Sequence, residues 1–204
     1  MIDQIKWLGH GSFAIHGDLL IYINPWRVSR VSRPADVILI GHEHYAYCSP
    51  ADIEKLRGPT TQVIASQRAA EHIEGCIVLR PWQSIAVGRS CIKGIPAYSP
   101  QHGTADDGRL GFVISVNYFD IYYAGHTGVI PEMTSLQPDI AILPIDGEGT
   151  MSASEAAQAV RQMHPRWAIP CNWGFNASGT NRVDAQIFAS EVGATAQVVL
   201  PPLR

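Results

Sequence analysis

The sequence predicts an α+β fold, a four-layer αββα sandwich in which two β-sheets pack face to face with helices outside. Three observations carry this expectation. Strand patterns dominate the first half of the chain, and strands alternate with helices in the second. Both halves share one style, apolar strands that end in short polar loops, which suits two similar sheets. Hydrophobic residues make up 46% of the chain and charged residues 16%, a balance that favours a packed core. At 204 residues, one domain spanning 1–204 is expected, large enough to bury a sizeable core.

The elements follow in order. Ile5 to Leu8 and Ser12 to Ile15 read as short strands around Gly9-His10-Gly11. His16-Gly17-Asp18 is turn chemistry, and 19–23 makes a third strand closed by Asn24-Pro25, so the chain opens as a meander. The stretch from Arg27 to Pro34, with arginines at 27, 30 and 33, is a loop. It reads either as solvated or as a rim that steers an anionic substrate. Val37-Ile38-Leu39-Ile40 is an unbroken apolar run, the mark of a strand covered on both faces.

Ser49, Pro50 and Asp52 suit the N-cap, N1 and N3 positions of a helix that runs to about Leu56. A strand at 62–65 leads to Ser66, which caps a second helix expected to end near Gly75. Strands follow at 76–79, 84–87 and 91–97. Residues 99–109 form a polar, glycine-containing loop that holds His102. Strands at 111–116 and 120–124 end in Gly125-His126-Thr127-Gly128, and another buried strand lies at 140–144. Ser152 and Glu155 form a capping box for an amphipathic helix to about Met163. A strand at 167–170, a helix at 183–192 and a strand at 196–200 complete the chain.

The formal net charge of −3 gives no overall pull toward nucleic acid. The first residues lead straight into a strand pattern, so no signal peptide is expected, and no apolar run is long enough to span a membrane. Cys48, Cys76, Cys91 and Cys171 are scattered without zinc-type spacing, which suits reduced thiols and a cytoplasmic location. The expected partner is a small-molecule substrate or ligand, with neither nucleic acid nor membrane.

The stretch that points to chemistry is His42-Glu43-His44, directly after the 37–40 strand and Gly41. A loop leaving a strand end can aim two imidazoles at one point, and imidazole suits zinc and similar ions. The same pair also reads as a polar turn.

Several stretches together resemble one family. Trp7-Leu8-Gly9-His10-Gly11-Ser12-Phe13, Ile38 to Pro50, Ala124-Gly125-His126-Thr127, Ile130 to Met133, Leu143 to Gly147 with Thr150-Met151, and Ile169 to Gly174 are similar to the metallo-β-lactamase-fold hydrolases. The likeness is greatest to the branch that includes ascorbate-6-phosphate lactonase. It covers nearly the whole chain and implies the αββα fold.

For activity the resemblance implies less. The family's metal loop reads His-x-His-x-Asp-His; His42 and His44 keep the first pair, while Ala46 and Tyr47 replace the Asp and the third His. His126 stands where the family has a bridging Asp, Asn172 where it has the last ligand His, and Asn24 where it has the Asp of an Ile-Asp-Pro turn. The second metal position has thus lost its ligands. The resemblance leaves one ion, zinc foremost among divalent metals, or none, with His42, His44, His102 and His126 as candidate ligands. His102 does not align cleanly and reads equally as a surface loop residue.

Catalytic candidates are His42, His44, His126 and Asp146, with Glu148 as a second nearby carboxylate. His10 is placed near the site or among satisfied buried residues, and Tyr47 in packing. His16, His72 and His164 read as surface residues. The functional expectation is an at most mononuclear hydrolase of a small ester, lactone or phosphoester. The alternative is a non-catalytic relative that keeps the pocket for ligand binding or assembly.

Overall fold

The computed structural model describes residues 1–29, 31–101, 103–174 and 182–201. The first half builds one sheet from β1 (Ile5–Gly9), β2 (Ser12–His16), β3 (Leu20–Ile23), β4 (Val37–Ile40), β5 (Gln62–Ser66) and β6 (Ile77–Leu79), in that order across the sheet. The second sheet holds β7 (Ser84–Val87), β8 (Ser90–Pro96), β9 (Leu110–Val116), β10 (Phe119–Tyr123), β11 (Ile140–Pro144), β12 (Trp167–Cys171) and β13 (Gln197–Val198), with β13 and β7 at its edges. Each sheet begins as an antiparallel meander and continues with parallel strands: β1 to β3 then β4 to β6, and β7 to β10 then β11 to β13.

The layers follow from which side chains alternate. Phe13, Ile15, Ile21, Ile23, Val37, Leu39 and Ile64 join the core shared with the second sheet. Their sequence neighbours Ala14, Leu20, Tyr22, Ile38, Ile40, Val63 and Ala65 form a separate cluster with Ile53 and Leu56 of helix α1 (Pro50–Leu56) and Ala69 of α2 (Gln67–Ala70). The period-2 geometry of a strand splits the two sets. It also explains why the β4 run needs no polar residue, since both of its faces are covered. Helices α3 (Ala153–Met163) and α4 (Arg182–Val192) bury Ala156, Val160, Ala185 and Phe188 in the core that includes the second sheet. The expected αββα order is therefore the observed one.

All three capping expectations hold. Ser49 accepts the Asp52 amide, Ser66 accepts the Ala69 amide, and Ser152 with Glu155 makes the reciprocal box. Two expectations do not. The second helix stops at Ala70, because beyond it the amides of His72 and Ile73 bond to carbonyls three residues back, which makes tight turns. The last strand is two residues long, and its pairing with β12 closes with the Val199 amide on the Ala168 carbonyl at 2.9 Å.

Two buried contacts hold the end where β4 finishes, and the first of them joins the two sheets. The Leu110 amide donates to the Gly41 carbonyl at 2.9 Å, and the Gly41 amide donates to Asn24 Oδ1 at 3.0 Å. A Cβ at position 41 would lie 2.1 Å from the Leu110 carbonyl oxygen, so only glycine lets the sheets approach here. Gly41→Ala should therefore destabilise the fold by about 1–3 kcal/mol or more, the usual cost of overpacking. A urea midpoint unchanged from the parent would refute this.

Candidate functional site

The loops that leave β4, β10, β11 and β12 meet at one end of the sandwich, as ligand sites on layered α/β sheets commonly do. After β4 the chain turns sharply: the His44 carbonyl accepts the amides of Tyr47 and Cys48, both at 2.8 Å, and Ser49 then caps α1. This turn fixes His42, His44 and Tyr47. After β10, Thr127 exchanges hydrogen bonds with the Tyr98 backbone at 2.8 and 3.1 Å, which sets His126. Asp146 follows β11 and bridges to Ser152. Asn172 follows β12 in a left-handed conformation (φ 62°), and its amide donates to the His10 carbonyl at 3.2 Å.

A cleft of about 390 Å³ is lined by His10, His42, His44, Tyr47, Arg109, His126, Asp146 and Glu148. The structure thus brings His42, His44, His126 and Asp146 to one cleft. His102 lies outside the described residues. The His42 ring is centred 4.9 Å from His126 and 6.2 Å from His44. Among the described residues, no three His, Cys, Asp or Glu side chains converge closely enough to hold an ion as they stand. Nδ1 of His42 accepts the His44 amide at 2.9 Å, in an exposed turn.

Tyr47 is fully buried and makes more than packing contacts. Its hydroxyl lies 3.3 Å from His126 Nδ1 and accepts from Asn172 Nδ2 at 2.5 Å. The same Asn172 nitrogen donates to Asp146 Oδ2 at 3.3 Å, and Thr150 Oγ1 donates to Asp146 Oδ1. This orientation sets an amide donor, not a carbonyl oxygen, against the Asp146 carboxylate, and it leaves Asn172 Oδ1 buried without a hydrogen-bond partner. Burial above all, with help from Tyr123 and Asp146, raises the Tyr47 phenol well above its ordinary range, so it keeps its proton. Ala46 is buried and offers no donor atom. Gly11 closes against this group: a Cβ there would come within 2.6 Å of the Tyr47 ring and 3.1 Å of Asn172 Oδ1.

Charge in the cleft is mostly cancelled. Arg109 grips Glu43 with three hydrogen bonds of 2.6 to 3.1 Å. Burial opposes ionisation of Glu43, but these bonds and nearby charges win and hold its carboxyl at about 2. Burial, followed by the nearby His44, lowers His10 to about 4, so it is neutral at pH 7. Burial raises Asp146 above its ordinary value despite the bonds from Thr150 and Asn172. Two further carboxyls, those of Asp146 and Glu148, line the same cleft beside its imidazoles. Imidazoles beside carboxyls are the donor types that suit one borderline ion at the His42 and His44 side. At the other side, Ala46, Tyr47 and Asn172 do not suit a second ion.

Arg109 and Glu43 were not singled out from the sequence. Glu43 sits between the two histidines, but the partner 66 positions away carries no local signal.

The Beta-lactamase superfamily domain family matches residues 4–172. The chain belongs to the β-lactamase superfamily. The UPF0173 metal-dependent hydrolase of Thermococcus kodakarensis is 30% identical over 97% of this chain and 95% of its own length. A relative of the same name from Thermoplasma acidophilum is 30% identical over 98% of this chain and 95% of its own. A crystal structure from Parabacteroides distasonis superposes with a TM-score of 0.86 at 26% identity, covering 98% of this chain and 93% of the other. Igni18, a metallo hydrolase from Ignicoccus hospitalis, matches the fold with a TM-score of 0.80 at 21% identity, over 98% and 95% of the two chains. This superfamily member has no helix among its described residues long and apolar enough to cross a membrane.

The lowered His10 value has a measurable consequence. The unfolded chain takes up a proton on His10 near 6.5, while the folded one does so only near 4. Stability from this residue is thus complete above 6.5 and is lost as pH falls from 6.5 toward 4. His10→Phe should flatten that part of the stability–pH curve; an equally steep curve in the variant would contradict it.

Proposed function

We propose that this chain is a hydrolase of small esters, lactones or phosphoesters that works with a single divalent ion, zinc foremost, in the His42 and His44 cleft. One observation carries the reading: three imidazoles, those of His42, His44 and His126, share one cleft with the half-buried Asp146 carboxyl, while Tyr47 and Asn172 bond to each other where the resemblance implies a second ion. The names of the relatives, metal-dependent hydrolases over almost their whole length, support it. Lactones enter through the sequence resemblance to the lactonase branch.

His42 and His44 would hold the ion, next to the His126 ring. Taking an ion through the His42 ring displaces one amide in an exposed turn, at a cost of about 1 kcal/mol because water can replace the lost partner. When bound, such an ion supplies Lewis-acid chemistry toward a carbonyl or phosphoryl oxygen. The chain's own groups do the rest. Asp146, with its raised pKa, is poised to accept a proton from a water in the cleft and to pass it to the leaving oxygen. Arg109, braced by Glu43, fixes the cleft wall from which substrate is oriented.

The second reading is a binding module without catalysis. It is favoured by the same closure of the second position by Tyr47 and Asn172, since two-ion hydrolysis needs both ions. The net charge of −3 supports a small-molecule partner over nucleic acid, and four free cysteines support a cytoplasmic setting. Residues 1–204 are read as one domain.

Elemental analysis and zinc titration separate the readings. The native protein should take up one ion per chain and no second, and His42→Ala should abolish uptake and hydrolysis of a generic ester or phosphoester together. Two ions that survive dialysis would overturn the single-ion site. Zinc binding no tighter than about 1 mM, or about −4.1 kcal/mol, would favour the binding module.

A further inference from the structure

We propose that His126 is a hydrogen-bond donor to a substrate oxygen, not an ion ligand, and that Tyr47, held by Asn172 and Asp146, is the positioning residue that fixes it in that role. The proposal rests on the hydrolytic reading of the cleft for its substrate, but its structural half stands on hydrogen-bond accounting alone.

The accounting starts at the carboxyl. Asp146 accepts from Thr150 and from Asn172 Nδ2. That orientation turns the Asn172 amide nitrogen to the Tyr47 hydroxyl as well, at 2.5 Å, so the phenol oxygen is an acceptor there. The hydroxyl proton must then go elsewhere, and the acceptor in reach is His126 Nδ1 at 3.3 Å. A neutral imidazole that accepts at Nδ1 carries its proton on Nε2. With Nδ1 turned to the buried phenol, the ring meets the cleft through its Nε2–H edge. An ion ligand needs the opposite arrangement, a lone pair on the coordinating nitrogen and a proton donated from the other.

His42 differs in one physical respect. Its Nδ1 faces the His44 amide at 2.9 Å and the Glu43 carboxylate at 3.6 Å, and water can satisfy that amide, in an exposed turn, if the ring turns to an ion. The Tyr47 hydroxyl lies in a fully buried side chain, and losing its acceptor would strand a buried donor. The two rings, centred 4.9 Å apart, are thus suited to different tasks. His42 can coordinate, and His126 offers an N–H of the kind that stabilises charge growing on a substrate oxygen. A cleft that has lost one ion keeps in this way a fixed donor beside the other.

The test has two arms. In the first, ring nitrogen-15 NMR is recorded on the metal-free, full-length protein well above the histidine pKa range. The wild type should show His126 protonated on Nε2 and bare on Nδ1, and Tyr47→Phe should shift the proton toward a mixture of both tautomers. Packing alone would not move that balance, because the phenylalanine ring fills the same space. A wild-type His126 protonated on Nδ1, or a spectrum unchanged in Tyr47→Phe, overturns the proposal. In the second arm, zinc affinity is compared by titration. His126→Ala should change it by less than about threefold, whereas His42→Ala should remove it. A loss of about tenfold or more in His126→Ala makes that residue a ligand and overturns the proposal. If the wild type takes up no zinc, the single-ion reading fails, and the NMR arm still decides the fate of Tyr47 and His126.

Discussion

The interaction on which the rest of the structure depends is a buried hydrogen-bonded knot between the two sheets. Tyr123 of β10 donates to the Gly11 carbonyl at 2.7 Å and accepts from Asn24 Nδ2 at 2.9 Å, while Asn24 Oδ1 takes the Gly41 amide. Four segments from both sheets thereby meet through one asparagine and one phenol. Asn24 reaches this place in a left-handed conformation (φ 44°), which asparagine tolerates better than most residues. An amide side chain is needed because it must donate to one partner and accept from another; a carboxylate at position 24 could only accept. The loop that begins at Gly41 is therefore aimed by a contact with no charge in it.

The same exchange of charge for hydrogen bonding runs through the cleft. Where the resemblance has carboxylates and histidines for a second ion, this chain has Ala46, Tyr47, Asn172 and Asn24. Three of these residues cluster near one another in the structure. Tyr47 and Asn172 bond to each other and to Asp146, and Gly11 leaves the space that the tyrosine ring fills. A removed ion would leave buried polar groups without partners, at about 1–3 kcal/mol each. The hydrogen bonds among Tyr47, Asn172 and Asp146 offset part of that cost, although Asn172 Oδ1 stays buried without a partner.

How much of this was legible in the sequence depended on the range of the interaction. The sheets were legible, because strand alternation and turn residues are local: Val37 to Ile40, the Ser49 cap and the Ser152–Glu155 box all sit where the pattern put them. The shortened α2 was not, since its end is set by turns beyond Ala70 that no cap residue announces. His42, His44, His126 and Asp146 were found through motif positions and do share a cleft. Tyr47 read only as packing, because its partner Asn172 is 125 positions away, and the Arg109 to Glu43 contact was missed for the same reason.

That separation along the chain has a kinetic side. The His10 carbonyl and the Asn172 amide close a loop of more than half the protein, and the Trp7 and Trp173 rings stack 5.2 Å apart across the same seam. Contacts of such long range form late, because loop closure must precede the reward for it. A growing chain thus carries the His42–His44 loop long before Asn172 exists to hold Tyr47 in place. The first sheet can fold early, but the cleft is assembled last, when the two ends of the chain find each other.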